Sequence, residues 1–141
     1  MRASEYPRDV ALQIPPNCDL TLGLVCIDKS LPGRTVWQAK ADERFLNPVG
    51  VVQGGFLAAM LDSAMGASAV TMVGDRRVTV ANTEMKVSFI RAAKVHDILT
   101  CVATVLKPGR VISFLEATIR DGDDQLIATA SSTYLIRERS E

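Results

Sequence analysis

The chain has 141 residues, 48% of them hydrophobic, with 16 basic and 16 acidic side chains and a formal net charge of zero. That length fits one domain able to bury a core without disulfides or a structural metal. Balanced charge without runs of one sign argues against a nucleic-acid-binding surface or an acidic tail, so any anionic ligand must be met by a few local cations.

Cys18, Cys26 and Cys101 are odd in number and widely spaced, and read as reduced thiols of a cytoplasmic protein. Residues 1–16 hold Pro7, Pro15 and Pro16 and no continuous apolar core, so no secretion signal is read there. Residues 20–28 and 34–43 are expected as strands, parted by a turn at Lys29-Ser30-Leu31-Pro32-Gly33. A loop with Asn47-Pro48 and Gly50 follows over residues 44–52.

From Gln53 to about Met72, small and apolar residues persist too long for one strand and predict a helix that is apolar almost all round and must be wrapped. Residues 54–73 approach the length of a bilayer span at ~1.5 Å per residue, but Asp62 at the centre and the lack of flanking aromatic anchors favour a buried helix of a non-membrane protein. Four strands are expected over residues 79–91, 97–106, 111–121 and 125–136. In the first, Met85, Val87 and Phe89 share one face and Glu84, Lys86 and Ser88 the other. Lys107-Pro108-Gly109-Arg110 and Asp121-Gly122-Asp123-Asp124 supply hairpin turns. The order implies an α+β fold, an antiparallel sheet wrapped around one long central helix. The folded domain is expected over residues 20–137, with an extension at 1–19 and a charged tail at 138–141.

Chemistry concentrates on the helix. Asp62 lies among apolar neighbours, and taken alone it reads equally as a structural carboxylate bonded to backbone or Ser63, or as a general base or nucleophile in a partly dehydrated site. Gln53-Gly54-Gly55 opens the helix, where free N–H groups and the positive dipole end favour a developing oxyanion; a tight loop-to-helix turn explains the glycines equally well. Eight residues part Gly54 from Asp62, about 12 Å along a helix. Both can serve one reacting carbon only if they come from different subunits of a dimer with antiparallel helices.

The pattern Asn47-x-x-Gly50-x-x-Gln53-Gly54-Gly55 followed by Leu61-Asp62 resembles the signature of hot-dog-fold thioesterases of the phenylacetate-degradation type. The similarity extends over residues 20–136, through residues 84–97, the 107–110 turn and the closing strand. The resemblance implies an acyl-CoA thioesterase acting as a homodimer or a dimer of dimers (homotetramer), with Asp62 activating water or attacking the thioester and the Gly54 N–H polarising its carbonyl. It further implies that Asn47 positions substrate or water, that Asn82, near a position where a hydroxyl residue often assists the carboxylate, belongs to the substrate site, and that Gly55 and Phe89 face substrate. Lys107 and Arg110 would meet CoA phosphates, unless they are solvated turn cations. Apolar residues of two subunits, among them Phe56, Met60 and Phe89, are expected around the acyl group.

Two positions depart from the family pattern. Gln53 stands where a histidine is usual and can position but not titrate; Ala92-Ala93 replaces a common proline, which implies a softer strand end. His96, the one histidine, reads as an exposed turn residue, so no metal site, serine-hydrolase elbow or nucleotide loop is expected and hydrolysis should need no cofactor. A hot-dog dehydratase would call for a histidine in the helix-entry motif. Gln53 also leaves open a non-catalytic acyl-CoA-binding module, although Asp62 and Asn47 at this spacing favour the enzyme.

Overall fold

The computed structural model describes residues 13–139, so most of the segment inspected for a secretion signal lies outside the described residues. A short helix α1 (Asn17–Leu22) leads into β1 (Val25–Leu31) and β2 (Arg34–Lys40), and a 3-10 turn at Glu43–Phe45 precedes the long helix α2 (Gly54–Thr71). Four strands close the chain: β3 (Val78–Phe89), β4 (Ile98–Lys107), β5 (Ile112–Arg120) and β6 (Leu126–Glu138). They form one six-stranded sheet in the order β1-β2-β4-β5-β6-β3, with every neighbouring pair antiparallel. This is the hot-dog arrangement expected from the sequence.

Three local expectations are corrected. Residues 20–22 are helical, because the Leu20-Leu22-Leu24 alternation that imitates a strand is the end of a helical turn. Gly23 stops it at φ 65°, and the Leu24 N–H returns to the Asp19 carbonyl at 2.9 Å. β1 continues to Leu31, leaving only Pro32 and Gly33 for the turn, and Gly33 takes φ 80° there. The second strand stops at Lys40, because Asp42 caps the following 3-10 turn by accepting from the Arg44 N–H at 2.8 Å.

Leu57, Met60, Leu61, Ala64 and Met65 recur at the spacing of one helix face and are all buried. They pack on Ala39, Leu99, Cys101, Ala103, Leu115, Ala117, Ile119 and Ala130 of the sheet. The sheet covers one side of α2 only. Asp62 and Val70 are exposed and Phe56, Ala59, Ser63 and Ala67 half-buried, so within one chain the helix is not wrapped all round as its composition led us to expect.

Apolar contact does not by itself fix the height of a helix over a sheet; directional bonds do. The Thr35 hydroxyl, from β2, donates to or accepts from the Ser68 hydroxyl of α2 at 2.7 Å, Ser68 lies 3.0 Å from the Ala103 carbonyl of β4, and the Trp37 indole N–H donates to Thr35 at 2.8 Å. Thr71 extends the seam, accepting from the Gly33 N–H at 2.7 Å. On the opposite edge, a bulge between Asn82 and Glu84 shifts the phase of β3, so that Val80 and Asn82 before it and Met85 and Val87 after it all turn toward the helix side.

Thr35→Val keeps the volume but leaves the Trp37 N–H without its acceptor, and urea unfolding should show a loss of about 1–3 kcal/mol. Burial pushes the Cys101 thiol up from 9.0 to about 12. Its contribution to stability is complete below pH 9 and is lost as pH rises toward 12, because the unfolded chain releases the proton first. Melting temperatures should therefore fall above pH 9, with a shallower decline in Cys101→Ala.

Candidate functional site

The entry to α2 is built from the preceding loop. Asn47 folds that loop on itself: its side-chain oxygen accepts from the N–H groups of Val49 at 3.0 Å and Val51 at 3.2 Å, and Gly50 completes the turn at φ 81°. The Asn47 amide NH2 has no protein acceptor among the described residues, and is the half of the side chain free for a ligand. The Val52 N–H donates to the Ala93 carbonyl at 2.9 Å and the Gln53 N–H to the Phe45 carbonyl at 2.8 Å, while the Phe45 and Phe56 rings stack with centroids 4.4 Å apart.

Gln53 is the N-cap of α2, its side-chain oxygen accepting from the Gly55 N–H at 3.1 Å. A Cβ at Gly55 would stand 2.7 Å from that oxygen, so glycine makes room for the cap, and the Gly55 N–H is engaged rather than open. The Gly54 N–H has no acceptor among the described residues and lies at the positive end of an 18-residue helix. The Phe89 ring leans over it, and a Cβ at Gly54 would meet that ring at 2.8 Å.

Two turns along α2, Asp62 is exposed on the flank facing β3 rather than enclosed by apolar residues. It escapes burial because the sheet ends there, with β3 as its edge strand. Ser63 is not among its partners. One carboxylate oxygen, Oδ1, accepts from the Asn82 amide at 3.0 Å and from the Tyr134 phenol of β6, whose oxygen also lies 2.8 Å from the Asp62 carbonyl. Ser132, buried on β6, donates its single hydrogen to either Asn82 Oδ1 or the Glu84 carbonyl. Burial first, and then the hydrogen bond to Asp62, hold the Tyr134 phenol well above its ordinary pKa of 10.0, so it stays a neutral donor.

The site residues expected from the sequence thus fall into three places. Asn47, Gln53, Gly54, Gly55 and Phe89 gather at the start of α2. Asp62 and Asn82 meet at its middle. Lys107 and Arg110 lie on the β4–β5 turn near the far end, where Arg110 pairs with Glu138 at 3.1 Å, as does Arg76. Lys107 has no ion pair among the described residues. Met60 is turned away from all of these, 1% exposed in the core, because its helix position faces the sheet. His96 sits exposed in a turn at φ 71°, as expected. Tyr134 and Ser132 were not anticipated; the alternation of Ala128, Ala130, Ser132 and Tyr134 on the helix-facing side of β6 is the signal that could have found them. Among the described residues no cluster of histidine, cysteine or acidic side chains is disposed to hold a metal, and no helix is long and apolar enough to cross a membrane.

Known proteins share this fold and place the chain in a family. The family model described as thioesterase superfamily matches residues 49–128, from the loop before α2 into β6. Human acyl-coenzyme A thioesterase 13 is 23% identical over 118 residues, covering 83% of each chain. Among solved structures, the E. coli PaaI protein of the phenylacetic acid degradation operon superposes with a TM-score of 0.82 at 18% identity, covering 89% of this chain and 87% of that one; this is a likeness of fold. A phenylacetic acid degradation-related protein from Ralstonia eutropha is 31% identical with a TM-score of 0.78, covering 85% of this chain and 89% of its own. With the family match spanning more than half its length, the chain belongs to the thioesterase superfamily, as a hot-dog-fold protein of the phenylacetate-degradation type whose chemistry is thioester hydrolysis.

Proposed function

We propose that this protein is an acyl-CoA thioesterase, active as a dimer or a dimer of dimers, whose sites each take Asp62 from one subunit and the Gly54 N–H from the other. One observation carries the reading: an open N–H and a held carboxylate stand on the same helix eight residues apart, about 12 Å, too far for one substrate carbon yet suited to two antiparallel copies. Two features support self-association. Among the described residues β3 pairs only with β6, leaving one edge of a 12-residue strand open, and the side of α2 that the sheet leaves uncovered carries Phe56, Ala59, Ala67 and Val70.

In this site Asp62 takes a proton from water as the water oxygen bonds to the thioester carbon. Charge gathering on the carbonyl oxygen meets the partner's Gly54 N–H at its helix N-terminus, without reorganisation at the moment of reaction. Collapse of the tetrahedral intermediate breaks the C–S bond, and the departing CoA thiolate takes up the proton, returning the carboxylate. As a nucleophile instead, Asp62 would bond to the carbon itself while the C–S bond breaks and CoA thiolate leaves, and water would then cleave the resulting anhydride to the free acid and the Asp62 carboxylate, a proton from that water going to the thiolate. The Asn47 amide is the free donor beside the substrate, Gln53 holds the helix entry in shape, and Phe89 covers the Gly54 end of the acyl pocket. An antiparallel partner brings its Gly54 toward the far end of this α2, where Lys107 and Arg110 are the cations for CoA phosphates; Arg110 would exchange Glu138 for them.

Release of free thiol from short, long and aromatic acyl-CoAs is the direct assay. Asp62→Asn keeps an oxygen for Asn82 and Tyr134 but loses the base, and should lower turnover about 10²- to 10⁴-fold, to a small residual rate, with acyl-CoA affinity retained. Gly54→Pro removes the N–H at a helix position that tolerates proline; made together with Phe89→Ala, which clears the ring that a Cβ at Gly54 would meet, it should lower kcat about 10²- to 10³-fold relative to Phe89→Ala alone. Binding of acyl-CoA by the native protein without thiol release would instead make it a binding module.

A mixed assembly tests the sharing of sites. Coexpressed chains, one carrying Asp62→Asn and Phe89→Ala and the other Gly54→Pro and Phe89→Ala, should regain on the order of a quarter of the turnover of Phe89→Ala alone, because each mixed dimer has one site with both the Asp62 and Gly54 changes and one with neither. Activity no higher than that of the separate variants would place each site within one chain.

A further inference from the structure

Both hydrogen bonds on the Asp62 carboxylate converge on a single atom. The Asn82 amide reaches Oδ1 at 3.0 Å and the Tyr134 phenol reaches the same oxygen, while Oδ2 has no protein donor among the described residues. The orientation of Asn82 follows from its neighbours: a carboxylate only accepts, so the amide nitrogen faces Asp62, and the amide oxygen faces the Ser132 hydroxyl. Tyr134 is fixed more firmly still. Its ring is 2% exposed, and its hydroxyl lies between the Asp62 side chain and the backbone of α2. The Asp62 carbonyl already serves the helix's own ladder, which leaves the charged carboxylate as the stronger claimant on the phenol hydrogen.

We infer that Tyr134 is a positioning residue for the thioesterase reaction: with Asn82 it clamps Oδ1 of Asp62 and thereby assigns Oδ2 as the oxygen that takes the proton from water or attacks the thioester carbon. The inference rests on the proposed role of Asp62. Without the clamp, an exposed aspartate on a helix rotates about its side-chain bonds, and either oxygen points toward substrate only part of the time. With it, the lone pair of Oδ2 is held toward the open flank where substrate must arrive. Oδ1 is occupied by two donors and takes no part in the proton transfer. Raised well above its ordinary range, the phenol keeps its hydrogen throughout the working pH range and acts as a permanent donor rather than a proton shuttle. Ser132 stands behind the amide, its one hydrogen shared between Asn82 Oδ1 and the Glu84 carbonyl as alternatives.

The test measures thiol release in the full-length protein carrying Tyr134→Phe, Asp62→Asn, and both. Tyr134→Phe should lower kcat roughly ten- to a hundredfold with KM held within about twofold, because the substrate's contacts are untouched while the attacking oxygen loses its orientation. In the Asp62→Asn background the same change should leave the residual rate where it was. An equal fold-loss in both backgrounds would show that Tyr134 acts through the general packing of the sheet, and an unchanged kcat in Tyr134→Phe would show that no clamp is needed; either overturns the inference. Full activity in Asp62→Asn alone would instead remove the proposed role of Asp62, a separate failure visible before Tyr134 is touched. If Tyr134→Phe loses its cooperative melt, Asn82→Ala carries the same comparison from the other donor, with the same expected and contrary outcomes.

Discussion

The structure depends on how one helix is seated across the sheet. α2 is apolar on nearly every side, so hydrophobic burial alone would accept many rotations and heights. The seam of Thr35, Ser68 and Thr71 removes that freedom with hydrogen bonds from buried and part-buried hydroxyls to one another and to carbonyls of β4 and α2 itself. Because the helix is rigid, fixing its second half also fixes its first. Asp62 then comes level with Asn82 and Tyr134, and Gly54 comes under the Phe89 ring.

That seating explains a division of labour along α2. Its sheet-facing stripe is core. Its flank beside β3 carries the one carboxylate, where the sheet ends and desolvation is least costly for a charge. Its N-terminus supplies an unsatisfied N–H, kept so by a cap that serves Gly55 and not Gly54. In the proposed mechanism these groups belong to different sites of the assembly, and eight residues of helical rise are what separate them. The uncovered side of α2 and the open edge of β3 have the same cause: a six-stranded sheet is wide enough to bury one side of the helix and no more.

The bulge in β3 is a second small device with a large effect. A regular strand would alternate Val78, Val80 and Asn82 inward and then send Met85 outward. One extra residue restores the inward phase and sets Asn82 and Met85 on the same side. The polar amide thereby reaches the carboxylate while the apolar residues beyond it still reach the core. Cys101 and Tyr134 are both raised in pKa by burial in this interior, which ties stability at alkaline pH to the same packing.

Much of this was legible in the chain itself. The long apolar run after Asn47-x-x-Gly50-x-x-Gln53-Gly54-Gly55 could only be one helix, and the period-two runs after it only an antiparallel sheet, because side-chain periodicity is a local property that the backbone imposes residue by residue. The 12 Å between Gly54 and Asp62 followed from helical rise alone. The end of α1 was misread, since three leucines in alternation look alike in a strand and in a helical turn stopped by Gly23. What only the tertiary structure decided is whatever depends on register between distant strands. Tyr134 lies 72 residues from Asp62 and Asn82 lies 20 away, and the alternation along β6 turns Tyr134 toward the helix without saying which helix residue its hydroxyl meets. The exposure of Asp62, the engagement of Gln53 and Arg110, and the burial of Met60 likewise follow from where the sheet ends and which helix face it covers. Those are outcomes of packing, set by the whole chain at once.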